Sequence, residues 1–484
     1  MRGLLRGGSL VVAAQAAVMG GSFFRNLILA RFVTKADFGI AGMIAMWLSL
    51  GELFGDMGVG RCLVRSPETD EEGLLGTAHA FTVLLFLTMG TVLLLGGGVA
   101  AEMMGKSLAP YSWAFRTVGM VLWVRAFTHC GAWRTQRSMR FGPMATAQAV
   151  SQGAGVLCAA PIALALRDYR AMIVLAAINA LVFVVTTHAV SPQKYRISLV
   201  PRYGRAFWTF GAPLVADGML MFLLFNGERI IVSRTQTDDM LGAYTAAYQL
   251  AFAPTMLLAN TALGIGIPEL ANAHDDASRN RRYTVLCGLL GVCIVGGAIP
   301  MVLGGGELVR VVFGAKYAGY WAIMAALAAG QGFRVLRIAP TVRAMERGDT
   351  LLPFVCNLIR AASLLPAWLA ARAGQGIWVA LAIGAAGEAL AALACTIGVG
   401  RRWSAAVRPN ILWTIAYACI IGACVLLPTM IDVRDRFAVL PLSIVAGGLI
   451  GAAGLWLIPG LREELGRIGR LLRSRRVAAQ ESNL

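Results

Sequence analysis

Charge is scarce in this chain. Asp, Glu, Lys and Arg together make up 14% of its 484 residues, while 58% are hydrophobic. A soluble domain carries roughly a quarter charged residues, so a water-solvated globular fold is excluded. The nine cysteines form no CxxC pair. They sit in or at the ends of apolar runs, and Cys287 and Cys293 are too far apart along one helix to bridge, which argues against a disulfide frame or a cysteine metal site. The four histidines (His79, His129, His188 and His274) are scattered, with no metal-ligand spacing. No P-loop lysine motif is present, so this chain hydrolyses no ATP by that route. The main acidic run, "ETDEE" at 68–72, reads as a solvated loop. The other loops are too short for the acidic site of a membrane glycosyltransferase or the large outer loop of a glycan polymerase. The chain is therefore read as a non-enzyme, with no resident cofactor or metal expected.

What the chain does have is apolar length. Runs of 18 or more apolar residues recur throughout, broken by short basic or Gly/Pro-containing segments. In a bilayer only helices and closed barrels satisfy their own backbone, and runs of about 20 residues fit helices. The fold class is all-α and polytopic, with about fourteen transmembrane helices. They are predicted near 10–32, 39–61, 79–101, 112–131, 144–166, 171–190, 207–231, 240–267, 284–304, 318–338, 351–371, 376–398, 410–430 and 438–459. The fourth and tenth of these are interrupted by arginines.

Lys and Arg outnumber Asp and Glu by 43 to 25, a net charge of +18. With the N-terminus inside, roughly 25 basic residues fall on cytoplasmic segments against about 10 opposite, a positive-inside asymmetry. One cluster per inner loop (Arg134, Arg137 and Arg140, for example) is a topology signal, not a nucleic-acid face. The predicted location is the bacterial cytoplasmic (inner) membrane, multi-pass, with both termini cytoplasmic. "MRGLLRGGSLVVAAQA" has the basic start of a signal peptide, but its apolar run continues and further spans follow, so it reads as a first transmembrane helix. The tail "LREELGRIGRLLRSRRVAAQ" (461–480) reads either as a basic surface helix on an anionic leaflet or as a frayed topology signal.

An internal repeat narrows the architecture. "ARFVTKADFGIA" (30–41) aligns with "SRTQTDDMLGAY" (233–244): Arg31 with Arg234, Thr34 with Thr237, and Gly39 with Gly242. Polar residues precede each arginine, Arg25 and Asn26 in one copy, Glu228 and Arg229 in the other. Six helices lie between the copies, an even number, so both enter from the same side. That is a parallel repeat about an axis along the membrane normal.

"LARFVTKADFGIAGMI", "LFGDMGVGRCLVR" (53–65) and "GAYTAAYQLAFAPTMLLANTALGIGIPELA" (242–271) resemble the polysaccharide transporters. These are the Wzx-type flippases of lipid-linked oligosaccharides, in the multidrug/oligosaccharidyl-lipid/polysaccharide exporter superfamily with the lipid II flippases and multidrug extruders. The resemblance is loose beyond about residue 285. It implies two pseudo-symmetric six-helix bundles plus two C-terminal helices. The domains expected are an N-terminal lobe 1–205, a C-terminal lobe 206–405, two further helices in 406–460, and a basic cytoplasmic tail 461–484. It also implies that an undecaprenyl-pyrophosphate-linked repeat unit is moved to the outer leaflet for surface or exopolysaccharide synthesis. Lipid-linked oligosaccharide and membrane lipids are the expected partners, with a polysaccharide polymerase and export machinery alongside.

The residues themselves bear on that expectation. An arginine at mid-span costs roughly 2.5–3.5 kcal/mol on insertion scales, so several call for a wet cavity or partners. Arg25 (helix 1), Arg125 (helix 4), Arg334 and Arg337 (helix 10) and Arg360 (helix 11) are candidate ligands for the substrate pyrophosphate. The planar guanidinium binds phosphate oxygens in pairs and stays charged. Acids at similar depth are fewer: Glu52 and Asp56 in helix 2, Asp217 in helix 7 and Glu388 in helix 12, candidates for charge pairing or for H⁺ or Na⁺ coupling. Arg360 and Glu388 either bind substrate and couple or simply pair with each other. Glu52 and Asp56, at i and i+4, either answer Arg25 and Arg125 structurally or titrate. Arg334 and Arg337 share a face that is either in the cavity or at the inner interface. Two other functions stay open: an ion-coupled multidrug extruder, whose cavity should be acidic, and a non-transporting scaffold of a polysaccharide-synthesis complex.

Overall fold

The computed structural model describes residues 18–66, 71–138, 140–430 and 436–457. Among these every regular element is a helix. The chain divides into two compact units, Met1–Gln249 and Leu250–Leu484. The tail helix expected at 461–480 and the start of the first span lie outside the described residues.

In the first unit, α1 (18–32) leads into α2 (Lys35–Asp56), α3 (Val59–Arg65) and α4 (Glu71–Met104). A 3-10 turn then precedes α5 (Ser112–Arg125), α6 (Gly131–Arg137), α7 (Gly142–Leu166), α8 (Arg170–Val190) and α9 (Pro201–Thr235). The second unit takes up most of α10 (Asp238–Ala271) and holds α11 (Asp276–Leu303), α12 (Gly305–Phe313) and α13 (Trp321–Glu346). It continues through α14 (Leu351–Ala362), α15 (Leu364–Arg372), α16 (Ile377–Trp403), α17 (Val407–Met430) and α18 (Arg436–Leu457).

Eleven helices among the described residues are long and apolar enough to cross a membrane, and the chain is a multi-pass membrane protein. Two expected spans differ in form. The fourth, predicted over 112–131, stops being helical at Arg125. There the Thr128 hydroxyl donates to the Arg125 carbonyl at 2.7 Å, taking an acceptor the helix would otherwise use. The eleventh, predicted over 351–371, breaks at Ser363 into α14 and α15. The Ser363 hydroxyl donates to the Arg360 carbonyl (2.7 Å) and accepts from Arg360 Nη1 (2.8 Å), so a polar side chain again competes with the backbone ladder.

The repeat has a structural counterpart. Thr34 caps α2 by accepting the Asp37 N–H at 3.1 Å, and Thr237 caps α10 by accepting the Met240 N–H at 3.3 Å. Such caps satisfy an orphan amide at a helix start. The aligned glycines touch. A Cβ on Gly39 would lie 2.7 Å from the Gly242 nitrogen and 2.9 Å from the Asp238 carbonyl oxygen, and one on Gly242 would run into the Lys35 carbonyl. Only glycine lets the starts of α2 and α10 approach backbone to backbone. Lys35 and Asp239 close the same contact with a 3.4 Å ion pair.

Candidate substrate-binding site

Two groups of intramembrane charges emerge, one in each unit. In the first unit Arg125 ends α5 and reaches Glu52 of α2 at 3.0 Å. It also donates to Asn179 Oδ1 of α8 at 3.3 Å, with its guanidinium 5.1 Å from the Phe183 ring centroid. Arg25, on α1, has its side chain alongside Gly155 of α7. Its Nε is buried without a hydrogen-bond partner among the described residues, and its charge is attracted by Glu52. Glu52 therefore answers both arginines. Asp56, one turn further along α2, accepts the Gly58 N–H beyond the helix end and interacts most with the charge of Arg61, and also with those of Glu52 and Arg125. Asp217 is exposed on α9 and is not brought to this group.

The second unit holds the denser arrangement. Arg334 and Arg337, at i and i+3 on α13, converge with Arg360 of α14 on Glu388 of α16. Glu388 Oε1 accepts Arg334 Nε at 2.8 Å and Nη2 at 2.6 Å, and lies 3.2 Å from Arg360 Nε. Its Oε2 accepts Arg337 Nη2 at 3.3 Å. Arg337 Nη1 also donates to Asn357 Oδ1 at 2.5 Å. Glu388 is 1% exposed and Arg360 2%, while Arg334 and Arg337 are 8% and 9%. Arg360 and Glu388 thus do pair, and both arginines of α13 join them.

The local sequence explains the assembly. Gly387 sits where any side chain would meet Ser363 Oγ, so α16 packs closely against the break between α14 and α15 and brings the adjacent Glu388 to Arg360. The four side chains carry two more positive than negative formal charges. Glu388 is also the only acid between Asp349 and Asp432. The acids on α11–α13 are engaged elsewhere: Asp276 with Arg279 and Arg347, Glu307 with Arg310 at 2.8 Å, and Glu346 with Arg343 at 2.5 Å and Arg279 at 3.1 Å. Nearby polar atoms are left over as well. Gln331 Oε1 and Arg337 Nε are buried with no hydrogen-bond partner among the described residues.

Outside the spans, Asp349 joins α13 to α14. It accepts the Leu351 and Leu352 amides at 2.9 and 3.0 Å and pairs with Arg402. Burial pushes its carboxyl up, but the two amides and the guanidinium outweigh this and hold it below the ordinary aspartate range.

One grouping could not be read from sequence spacing. Three of the four histidines, expected to be scattered, gather in the first unit around Tyr195. His79 and His129 have ring centroids 4.7 Å apart, His129 and His188 5.1 Å, and His79 and Tyr195 4.3 Å. They hold no metal arrangement among the described residues; they hold backbone. His79 Nε2 accepts the Cys130 N–H, so its Nδ1 donates to the Arg196 carbonyl at 2.8 Å. His129 Nδ1 accepts the Gly131 N–H, and its Nε2 donates to the Gln193 carbonyl at 3.0 Å. The cluster fastens the extended segment 191–200 that leads into α9.

Residues 28–322 match the family described as polysaccharide biosynthesis protein. The chain belongs to that family. The resemblance carried by 29–44, 53–65 and 242–271 is thereby borne out. This family member is 22% identical over 318 residues to the Escherichia coli (strain K12) lipopolysaccharide biosynthesis protein WzxC, covering 63% of its own length and 62% of that protein's. It is 22% identical over 356 residues to the Rhizobium meliloti (strain 1021) succinoglycan biosynthesis transport protein ExoT, covering 72% and 70%. Its fold is that of the lipid II flippase MurJ in an inward closed conformation, with TM-score 0.72 at 12% identity over 91% of this chain and 97% of that one. It is also that of an inward-facing multidrug resistance transporter of the MATE family, with TM-score 0.63 at 12% identity over 81% and 95%.

Proposed function

We propose that this protein is a flippase. It moves an undecaprenyl-pyrophosphate-linked oligosaccharide repeat unit across the bacterial inner membrane by alternating access, for surface or exopolysaccharide synthesis. The observation that carries this reading is the buried arginine group of the second unit, where three guanidinium groups share one carboxylate. Three guanidinium groups gathered on one buried carboxylate are costly to hold together, and a substrate that brings its own anions suits such a site. Arg334, Arg337 and Arg360 are the proposed pyrophosphate ligands there, and Arg25 and Arg125 of the first unit are proposed as further pyrophosphate ligands. Glu52 and Glu388 are proposed as their charge partners, and Asp56 and Asp217 as further sites for charge pairing or H⁺ or Na⁺ coupling. The proposed layout has lobes 1–205 and 206–405, two further helices in 406–460, and cytoplasmic termini including the tail 461–484. A polysaccharide polymerase and export machinery are the proposed partners. Chemistry distinguishes this function from a multidrug extruder, because a surplus of arginine repels cationic drugs.

The test is complementation of polysaccharide export in cells lacking the native gene, with membrane abundance checked for each variant. Arg360→Gln and Arg25→Ala should abolish export at normal abundance, while Arg25→Lys restores part of it. Normal export by the first two variants would remove the cationic site and favour a scaffold.

A further inference from the structure

The arginine group of the second unit already holds an anionic ligand, and it is part of the protein. Glu388 meets the three guanidinium groups as a substrate phosphate would: one oxygen takes the Arg334 fork and Arg360, and the other takes Arg337. This deepens the reading proposed above and rests on it. We infer that Glu388 is a displaceable internal ligand: it holds the arginines together when the site is empty, competes with the arriving anion for the same donors, and so favours release.

Three observations converge on this role. First, the ligation is lopsided. Oε1 accepts two Arg334 bonds at 2.6 and 2.8 Å and has Arg360 Nε in ion-pair contact at 3.2 Å, while Oε2 has one bond at 3.3 Å, so a second anionic oxygen near Oε2 would find Arg337 Nη2 weakly engaged. Second, donors and acceptors near the group remain unfilled, since Arg337 Nε and Gln331 Oε1 have no hydrogen-bond partner among the described residues. A phosphate oxygen suits the first and a sugar hydroxyl the second. Third, the charge count is selective. With Glu388 ionised, the four side chains carry a surplus of two positive charges. A pyrophosphate diester carries one negative charge on each phosphate and brings that count to neutrality. Without the carboxylate the surplus would rise to three and would favour more highly charged anions. Glu388 is thus a specificity-determining residue for pyrophosphate diesters and a brake on retention.

The experiment measures anion binding to the purified full-length protein in detergent. The probes are UDP-glucose, a water-soluble pyrophosphate diester, and inorganic sulfate and chloride as controls. Wild type should bind UDP-glucose weakly. Glu388→Gln should bind it tighter by on the order of tenfold, since one charge-assisted competitor has gone, and should also gain binding of sulfate. Glu388→Asp, which keeps the charge but withdraws it by one methylene, should fall between, and it serves as the readout if the Gln variant does not fold. In cells, Glu388→Gln should export less despite binding more. Unchanged or weaker UDP-glucose binding in Glu388→Gln and Glu388→Asp, with Arg360→Gln binding less than wild type, would overturn the internal-ligand role and leave the arginine site standing. Undiminished binding in Arg360→Gln and Arg334→Gln would overturn the site itself.

Discussion

Substituting one arginine and substituting the one glutamate of the buried group should have sharply unequal costs. Arg360→Met removes a single 3.2 Å contact to Glu388 Oε1 and a 2.8 Å bond to Ser363 while filling the volume with an apolar chain. Glu388 keeps both bonds from Arg334 and the contact from Arg337, so no charge is left without a partner. A lost charge-assisted bond is worth ~1.5–3 kcal/mol. Relief of repulsion among three clustered cations offsets part of it, which gives a net loss of about 1 kcal/mol. Glu388→Gln removes the shared counter-charge and leaves three guanidinium groups facing one another in a site that is 10% exposed or less. Breaking a buried pair in this way costs ~3–5 kcal/mol. The double variant supplies the sharper contrast. Arg360→Met added to Glu388→Gln should recover stability, because it then deletes an uncompensated cation. The assay is equilibrium or thermal unfolding of the four proteins in one detergent. If Arg360→Met costs as much as Glu388→Gln, or if the double variant is the least stable of the four, the group is not over-supplied with positive charge and the electrostatic reasoning fails.

Two further outcomes are expected. Gly242→Ala should lower stability by ~1–3 kcal/mol, and Gly242→Leu should lower the amount of folded protein recovered, because any Cβ there meets the Lys35 carbonyl backbone. Wild-type abundance and thermal stability of Gly242→Leu would show that the starts of α2 and α10 can separate freely. Asp349→Ala should cost about 1 kcal/mol through loss of the amide bonds at the start of α14. The Asp349 carboxyl lies below its ordinary value of 3.8 in the folded state. Its contribution is therefore complete above that value and is lost as pH falls through the lower folded value. The gap between wild type and Asp349→Ala should shrink in that acid range and be constant near neutrality; a gap that persists through it would refute the assignment.

Much of this was legible in the sequence, and the limits are instructive. Span positions follow from hydropathy because lipid demands runs of fixed length. The breaks at Thr128 and Ser363 do not, since each depends on where one hydroxyl meets a carbonyl. Depth in a span identifies Arg334, Arg337, Arg360 and Glu388 as costly residues but says nothing of helix rotation, which decides that they meet. Gly387 was the available signal: a small residue beside a buried acid marks a close helix approach. Glu52 and Asp56 share a helix face by spacing, yet the end of α2 at Met57 and Gly58 turns Asp56 toward the following loop. The histidine cluster lies beyond any spacing rule, because residues 79, 129 and 188 come from separate elements.

The contact of Gly39 with Gly242 has one more consequence. It is mutual: Gly39 lies against the Asp238 carbonyl and Gly242 against that of Lys35, and Asp238 and Lys35 are themselves counterparts in the repeat. Contacts of this kind, in which i touches j and j touches i, characterise two identical chains joined across a two-fold axis. Segments 30–41 and 233–244 therefore meet with the reciprocal geometry of a two-fold interface, within one polypeptide. The ion pair of Lys35 with Asp239 is where the two copies differ, one supplying the cation and the other the carboxylate.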